Sequence, residues 1–122
     1  MDKTGAIYVS DKVERLTEDI MLVGVRNENG LSKLVFPKTF KTVVDRGLNA
    51  VFAEKVYFTG EKPPKMVMKK RKKLYGPDYH IYVPESSEEA YRAWYKSLKK
   101  PTWVMDWIKK RSFNTFKPGD EI

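Results

Sequence analysis

The chain is 122 residues long, carries a formal net charge of +8 and contains no cysteine. The lack of cysteine excludes a disulfide framework, a thiolate metal site and a cysteine nucleophile. Hydrophobic residues make up 41% of the chain and aromatic residues 13%, which is typical of a folded protein and not of a disordered one. No apolar run reaches the roughly 18 residues of a membrane-spanning helix, and the N-terminus does not resemble a signal peptide. We expect one compact domain over residues 1–122, cytoplasmic or associated with the nucleoid, with no membrane partner.

The charge is distributed unevenly along the chain. Residues 1–61 hold nine Lys or Arg and nine Asp or Glu, whereas residues 62–122 hold fifteen and seven. The positive excess therefore lies in the second half, where it would attract anions. Glutamine is absent while Lys and Glu are abundant, a combination that leans towards a heat-adapted source.

Two segments of the first half predict strands. Residues 20–25 and 31–36 are rich in aliphatic residues, and Asn29-Gly30 between them is typical of a type I′ turn, which predicts a β-hairpin over residues 19–36. Residues 51–59 have a similar composition and predict a further strand.

A short helix is predicted between the hairpin and that strand. Pro37 suits the first turn of a helix, and Phe40 and Val44 recur at helical spacing. Gly47 would supply a left-handed cap. The pattern predicts a helix over residues 37–46.

The basic middle of the chain has two interpretations. Residues 65–74 fit a helix by propensity, or a strand that turns at Gly76-Pro77 and pairs with residues 79–83. The turn chemistry favours the second interpretation. We therefore expect a β-ribbon over residues 65–84, with a basic loop at 62–76.

The last third predicts two helices. Ser86 and Glu89 have the spacing of a capping box, which predicts a helix over residues 86–100. A second helix is predicted over residues 102–112, and the tail 114–122 is expected to fray. The resulting fold class is α+β, a mainly antiparallel sheet with short helices packed on one face.

A dense run of cations dominates the second half. Such runs are common where a protein neutralises the phosphates of DNA or RNA, although a solvated basic face or a localisation signal is also compatible with them. The run consists of Lys62, Lys65, Lys69, Lys70, Arg71, Lys72 and Lys73. A second group of cations, at the end of the last predicted helix, consists of Lys109, Lys110 and Arg111.

Tyrosines follow the basic run. On a strand, Tyr79 and Val83 would face one way, with His80 and Tyr82 facing the other. Aromatic rings beside a cationic surface can stack on the bases of single-stranded nucleic acid. We therefore include Tyr75, His80 and Tyr82 in the candidate binding surface.

The sequence contains no pattern typical of an enzyme. His80 is the only histidine, and the glycines form no phosphate-binding loop. Glu88 and Glu89 are better explained as first-turn residues that complement a helix dipole than as a metal site. We expect no catalytic residue, no metal and no cofactor.

These observations predict a small basic protein that binds nucleic acid largely without regard to sequence, with single-stranded DNA or RNA as the preferred partner. The alternative is a small regulatory protein, of viral or mobile-element type, whose basic face docks on an acidic protein partner. The sequence leaves the oligomeric state and the choice between DNA and RNA open.

Overall fold

The computed structural model describes residues 6–17, 31–45, 47, 53–70, 77, 79–98 and 112–120. Its strands are β1 (Ala6–Tyr8), β2 (Arg15–Leu16), β3 (Leu31–Phe36), β4 (Thr42–Val44), β5 (Ala53–Phe58), β6 (Lys65–Val67), β7 (His80–Pro84) and β8 (Phe113–Phe116). Its α-helix, α1 (Glu88–Ser97), follows a 3-10 turn at Glu85–Ser87.

The described strands form two sheets, and all neighbouring strands in both sheets are parallel. One sheet has five strands in the order β1-β3-β5-β7-β8, and the other has three in the order β2-β4-β6. From β1 to β7 the chain alternates between the two sheets. This is the winding of a solenoid, in which each turn of the chain adds one strand to each sheet.

The hydrophobic core lies between the two sheets and includes Tyr91 and Trp94 of α1. Alternate residues of β3, β5 and β7 point inward, and they meet Leu16 of β2 and Val43 of β4. The inward residues of the larger sheet, all buried, are Leu34, Phe36, Val56, Phe58, Ile81 and Val83. This apolar interior covers the inward face of the larger sheet, and its burial stabilises the parallel pairing of the strands.

Successive turns are also joined through rings and hydrogen bonds. The rings of Phe36 and Phe58, on neighbouring strands, stack with centroids 5.5 Å apart. The Thr59 hydroxyl donates to the carbonyl of Phe36 at 2.7 Å, and the N–H of Lys65 donates to the carbonyl of Lys41 at 2.7 Å. Each turn is therefore positioned by the one before it.

The prediction of a mainly antiparallel sheet is wrong. Alternation of apolar residues is the same in parallel and antiparallel strands, so the pattern identifies strands but not their direction. The predicted ribbon over residues 65–84 is also wrong, because alternation does not identify the partner of a strand either. Its two strands, β6 and β7, belong to different sheets and do not pair with each other.

The predicted helix over residues 37–46 is also wrong. A turn closed by the Phe40 N–H and the Pro37 carbonyl at 3.1 Å leads instead into β4. A turn followed by a strand places apolar residues at the same spacing as one helical face. Asp45, which follows β4, has a positive φ (52°), whereas Gly47 is required because a side chain there would meet the Leu16 backbone.

The segments 31–36 and 53–58 are strands, which confirms one strand of the predicted hairpin and most of the predicted strand at 51–59. The hairpin itself is wrong, because β3 pairs in parallel with β1 on one side and with β5 on the other. Its other predicted strand, at 20–25, lies outside the described residues. The predicted helix at 86–100 is confirmed in α1, but its N-cap is Ser87, which makes no side-chain capping bond, so the capping box is absent.

The C-terminal part departs from the predictions as well. The predicted helix over residues 102–112 lies outside the described residues except for its last position. The tail expected to fray begins with β8, which pairs with β7 over residues 81–84. Within the described part of the chain, no helix is long and apolar enough to cross a membrane.

A substitution at Gly47 tests how closely the turns are stacked. A Cβ at this position would lie 2.7 Å from the Leu16 carbonyl oxygen, which is backbone and cannot rotate away. We expect Gly47→Ala to lower the free energy of unfolding by about 1 to 3 kcal/mol, measured by urea denaturation. The control is Gly60→Ala, where the nearest atom would be 3.4 Å away and the loss should stay within about 0.5 kcal/mol. Equal stability of the two variants would contradict the close approach.

Candidate functional site

The outward side of the five-stranded sheet carries basic and aromatic residues in neighbouring rows. In a parallel sheet, residues in register on neighbouring strands lie side by side, about 4.8 Å apart. The outward residues therefore form rows that run across the strands. We call this surface the open face, defined by Tyr8, Lys33, Val35, Lys55, Tyr57, His80, Tyr82 and Asn114.

One row of the open face is basic. Lys33 is in register with Lys55, and Lys55 is in register with His80. All three side chains are partly exposed. Like charges directly opposite each other destabilise a sheet. This row contains no carboxylate, so an anion from outside the sheet would relieve the repulsion.

The next row is aromatic. Tyr57 and Tyr82 are in register on β5 and β7, and their rings stack with centroids 4.6 Å apart and planes within 15°. Phe116 of β8 contacts the same group, with its centroid 5.9 Å from that of Tyr57. These rings are partly exposed. They form a continuous aromatic surface across three strands.

The two rows are interleaved by cation–π contacts. The Lys33 ammonium lies 5.2 Å from the ring centroid of Tyr8 and 5.8 Å from that of Tyr57, and the Lys55 ammonium lies 5.9 Å from that of Tyr82. Each ammonium group thus lies over the face of a ring, where the negative ring face attracts it. The open face therefore presents positive charge and aromatic rings side by side.

His80 has a structural contact at the end of the basic row. Its Nδ1 lies 2.8 Å from the Ser112 hydroxyl, which also accepts a hydrogen bond from the Asn114 amide at 2.7 Å. These bonds join β7 to the chain around β8. They fix the orientation of the imidazole on the open face.

A groove borders the open face where the strands of the larger sheet end. Its volume is about 850 Å³, and its walls come from the segments that follow β3, β5, β7 and β8. Phe116 belongs both to this groove and to the aromatic surface. We call it the lysine groove after four of its lining residues, Lys38, Lys41, Lys62 and Lys65.

One wall of the lysine groove is held by a buried tyrosine. The Tyr91 hydroxyl of α1 donates to the carbonyl oxygens of Gly60 and Lys62, at 2.9 and 3.1 Å. Burial raises the pKa of Tyr91 above its ordinary value, so the hydroxyl stays protonated and remains a donor. The loop after β5 is therefore positioned by α1.

The middle of the predicted basic run, at Lys69 and Lys70, is fixed by a carboxylate. Asp45, which is 3% exposed, accepts hydrogen bonds at Oδ1 from the backbone N–H groups of Lys69 (2.7 Å) and Lys70 (3.0 Å). The side chains of both lysines are exposed. Asp45 thus attaches the segment after β6 to the end of β4 and leaves the two ammonium groups in solvent.

The structure divides the predicted site residues among three places. His80 and Tyr82 lie on the open face, Lys62 and Lys65 line the lysine groove, and Lys69 with Lys70 follows β6. Tyr79 is buried, as the alternation on this strand predicts. The predicted residues outside the described part of the chain are Arg71, Lys72, Lys73, Tyr75, Lys109, Lys110 and Arg111.

Sequence reasoning missed Lys33, Lys55, Phe116 and two groove lysines. The missed signal is an internal repeat, because residues 32–36 (SKLVF) and 54–58 (EKVYF) share a pattern 22 positions apart. Repeats with a period of 20 to 50 residues are typical of solenoids. Lys33 and Lys55 occupy the same position of this repeat, so the repeat would have predicted that they lie side by side on neighbouring strands.

Comparisons of the chain with protein-family models, with curated proteins and with solved structures find no match.

The hydrogen bonds of Tyr91 can be tested by Tyr91→Phe, which keeps the ring. Near pH 7 we expect the free energy of unfolding to fall by about 1 kcal/mol, because the donor to two carbonyls is lost. The folded-state pKa of Tyr91 is raised above 10.0, so its contribution is complete below pH 10 and is lost as the pH rises towards the folded-state value. The difference between wild type and variant should therefore shrink above pH 10, in chemical denaturation at a series of pH values. A constant difference across that range would contradict the assignment.

Proposed function

We propose that this protein binds single-stranded nucleic acid on the open face, with little dependence on base sequence. The observation that carries the proposal is the adjacency of the basic row and the aromatic row on one outward surface. Lys33 and Lys55 would neutralise phosphates, and Tyr57 and Tyr82 would stack on bases.

The basic row supports an anionic ligand. Lys33 and Lys55 are directly opposite each other with no carboxylate in their row, and the whole chain carries a net charge of +8. Binding of a phosphate backbone would remove the repulsion and release condensed counterions. The exposed Lys69 and Lys70 add to the positive field that attracts such a ligand.

The aromatic row supports a ligand with flat rings. Tyr57, Tyr82 and Phe116 are partly exposed. Because Tyr57 and Tyr82 stack on each other, any of the four bases would extend this stack from one of its outer ring faces. In a duplex the base faces are already stacked on each other, so only a single strand can offer them. This favours single-stranded over duplex nucleic acid.

The type of cation supports weak sequence preference. Lysine outnumbers arginine eighteen to six in the chain, and the cations in the basic row and the lysine groove are lysines. An ammonium group holds phosphate as a point charge and lacks the two-pronged geometry with which arginine reads guanine. Stacking adds affinity without discriminating strongly among bases.

An acidic protein partner is the competing function for the same surface. Lysines would attract carboxylates as well as phosphates. The aromatic row separates the two ligands, because stacking on Tyr82 would contribute more to binding of a base than to binding of an acidic side chain.

A tyrosine on the open face tests the proposal. We expect Tyr82→Ala to weaken binding of an oligothymidylate of about twelve nucleotides by about 1 to 3 kcal/mol, measured by fluorescence anisotropy. The slope of log K against log salt should not change, because a ring releases no counterions. The matched control is Tyr82→Phe, which keeps the stacking surface and should bind nearly as the wild type does.

Two results would contradict the proposal. The first is absence of binding by the wild type at low salt to every single-stranded oligonucleotide tested. The second is equal affinity of Tyr82→Ala and Tyr82→Phe. Tight binding of an acidic polypeptide together with the first result would favour the competing function.

A further inference from the structure

We infer that the lysine groove is the phosphate track of the same strand whose bases stack on the open face. The inference rests on the proposed function and adds to it the path of the ligand backbone. It assigns the closest phosphate contacts to Lys38, Lys41, Lys62 and Lys65, two of which lie far in sequence from the predicted basic run. Lys33 and Lys55 lie on the other side of the aromatic row and would neutralise the same phosphates at longer range.

The groove and the aromatic row lie next to each other and run in the same direction. The groove is lined by the segments after β3, β5, β7 and β8, so it crosses the ends of these strands as the rows of the open face cross their middles. Phe116 contacts Tyr57 on one side and lines the groove on the other. A strand lying in the groove would therefore have its bases beside the tyrosines.

Stacking of the turns brings the backbone segments that carry the groove lysines close together. The Lys65 N–H donates to the Lys41 carbonyl at 2.7 Å, so these two residues lie on adjacent turns. The backbones of Lys38 and Gly60 are similarly close, since a Cβ on Gly60 would lie 3.4 Å from the Lys38 carbonyl oxygen. The chain thus concentrates positive charge along the groove, at a spacing of one solenoid turn.

The surroundings of the lysines are compatible with an entering anion. Lys41 pairs with Glu14 at 3.4 Å, and both side chains are largely exposed (72% and 56%), so this pair is weak and easily exchanged. Two carboxylates, Glu61 and Glu85, also line the groove. Together with Glu14, three carboxylates lie near four ammonium groups, which leaves a small excess of positive charge along the track.

The loop that carries Lys62 is already positioned for binding. The hydrogen bonds from the Tyr91 hydroxyl to Gly60 and Lys62 fix its backbone against α1. Little conformational entropy is then lost when the loop contacts a ligand. The apolar lining from Pro84 and Phe116 would contact sugars and bases.

Salt dependence tests the track. We expect the double variant Lys38→Ala/Lys62→Ala to flatten the slope of log K against log salt by about 1.4 for an oligothymidylate of about twelve nucleotides, at about 0.7 per lost contact. The matched control is Arg92→Ala/Lys96→Ala, which removes two exposed cations of α1 that do not line the groove and should leave the slope within error of the wild type. In the opposite direction, Glu61→Gln/Glu85→Gln should raise affinity several-fold at low salt. Equal slopes for the groove variant and its control would overturn the inference.

An abasic strand of the same length separates this inference from the proposed function. The groove variant should weaken binding of the abasic strand, whereas Tyr82→Ala should not, because no base is present to stack. If Tyr82→Ala weakens binding of the oligothymidylate while the groove variant leaves both probes unaffected, the track is wrong and the open face stands. If the wild type binds neither probe, both proposals are wrong.

Discussion

The structure depends on one constraint, that each turn of the chain must bury its apolar residues between two parallel sheets. Rings such as those of Phe36 and Phe58 stack from one turn to the next, and this interior fixes the register of the strands. Once the register is fixed, the outward residues have no freedom of placement. Lys33 must lie beside Lys55, and Tyr57 must lie beside Tyr82. The open face is thus a direct consequence of the core.

The same stacking explains why charge repulsion is tolerated. A sheet with opposing lysines on its outer side loses some stability, but the buried interior and the bonds between turns offset that loss. The cation–π contacts of Lys33 and Lys55 reduce it further. A surface whose charges repel one another is typical of a binding site, and packing elsewhere in the solenoid offsets the loss of stability.

Sequence reasoning located strands better than it located their partners. The segments at 31–36 and 53–58 and the helix α1 follow from local composition and spacing, and so does the outward direction of Tyr82. The sheet directions did not follow, because alternation is the same in both arrangements. Phe40 and Val44 misled because a turn followed by a strand imitates a helical face. The candidate site combines residues 22 or more positions apart, which no local pattern brings together, and only the internal repeat could have indicated it.

Photo-crosslinking tests the central claim, that the open face binds the bases of a single strand, most directly. Thymines in an oligothymidylate can be replaced by 5-iodouracil, which forms adducts with aromatic side chains that stack on it, and the adducts can be mapped by mass spectrometry. We expect adducts on Tyr57 and Tyr82 with the single strand. These adducts should be lost when duplex DNA replaces it. Adducts confined to other parts of the chain, or none at saturating oligonucleotide, would contradict it.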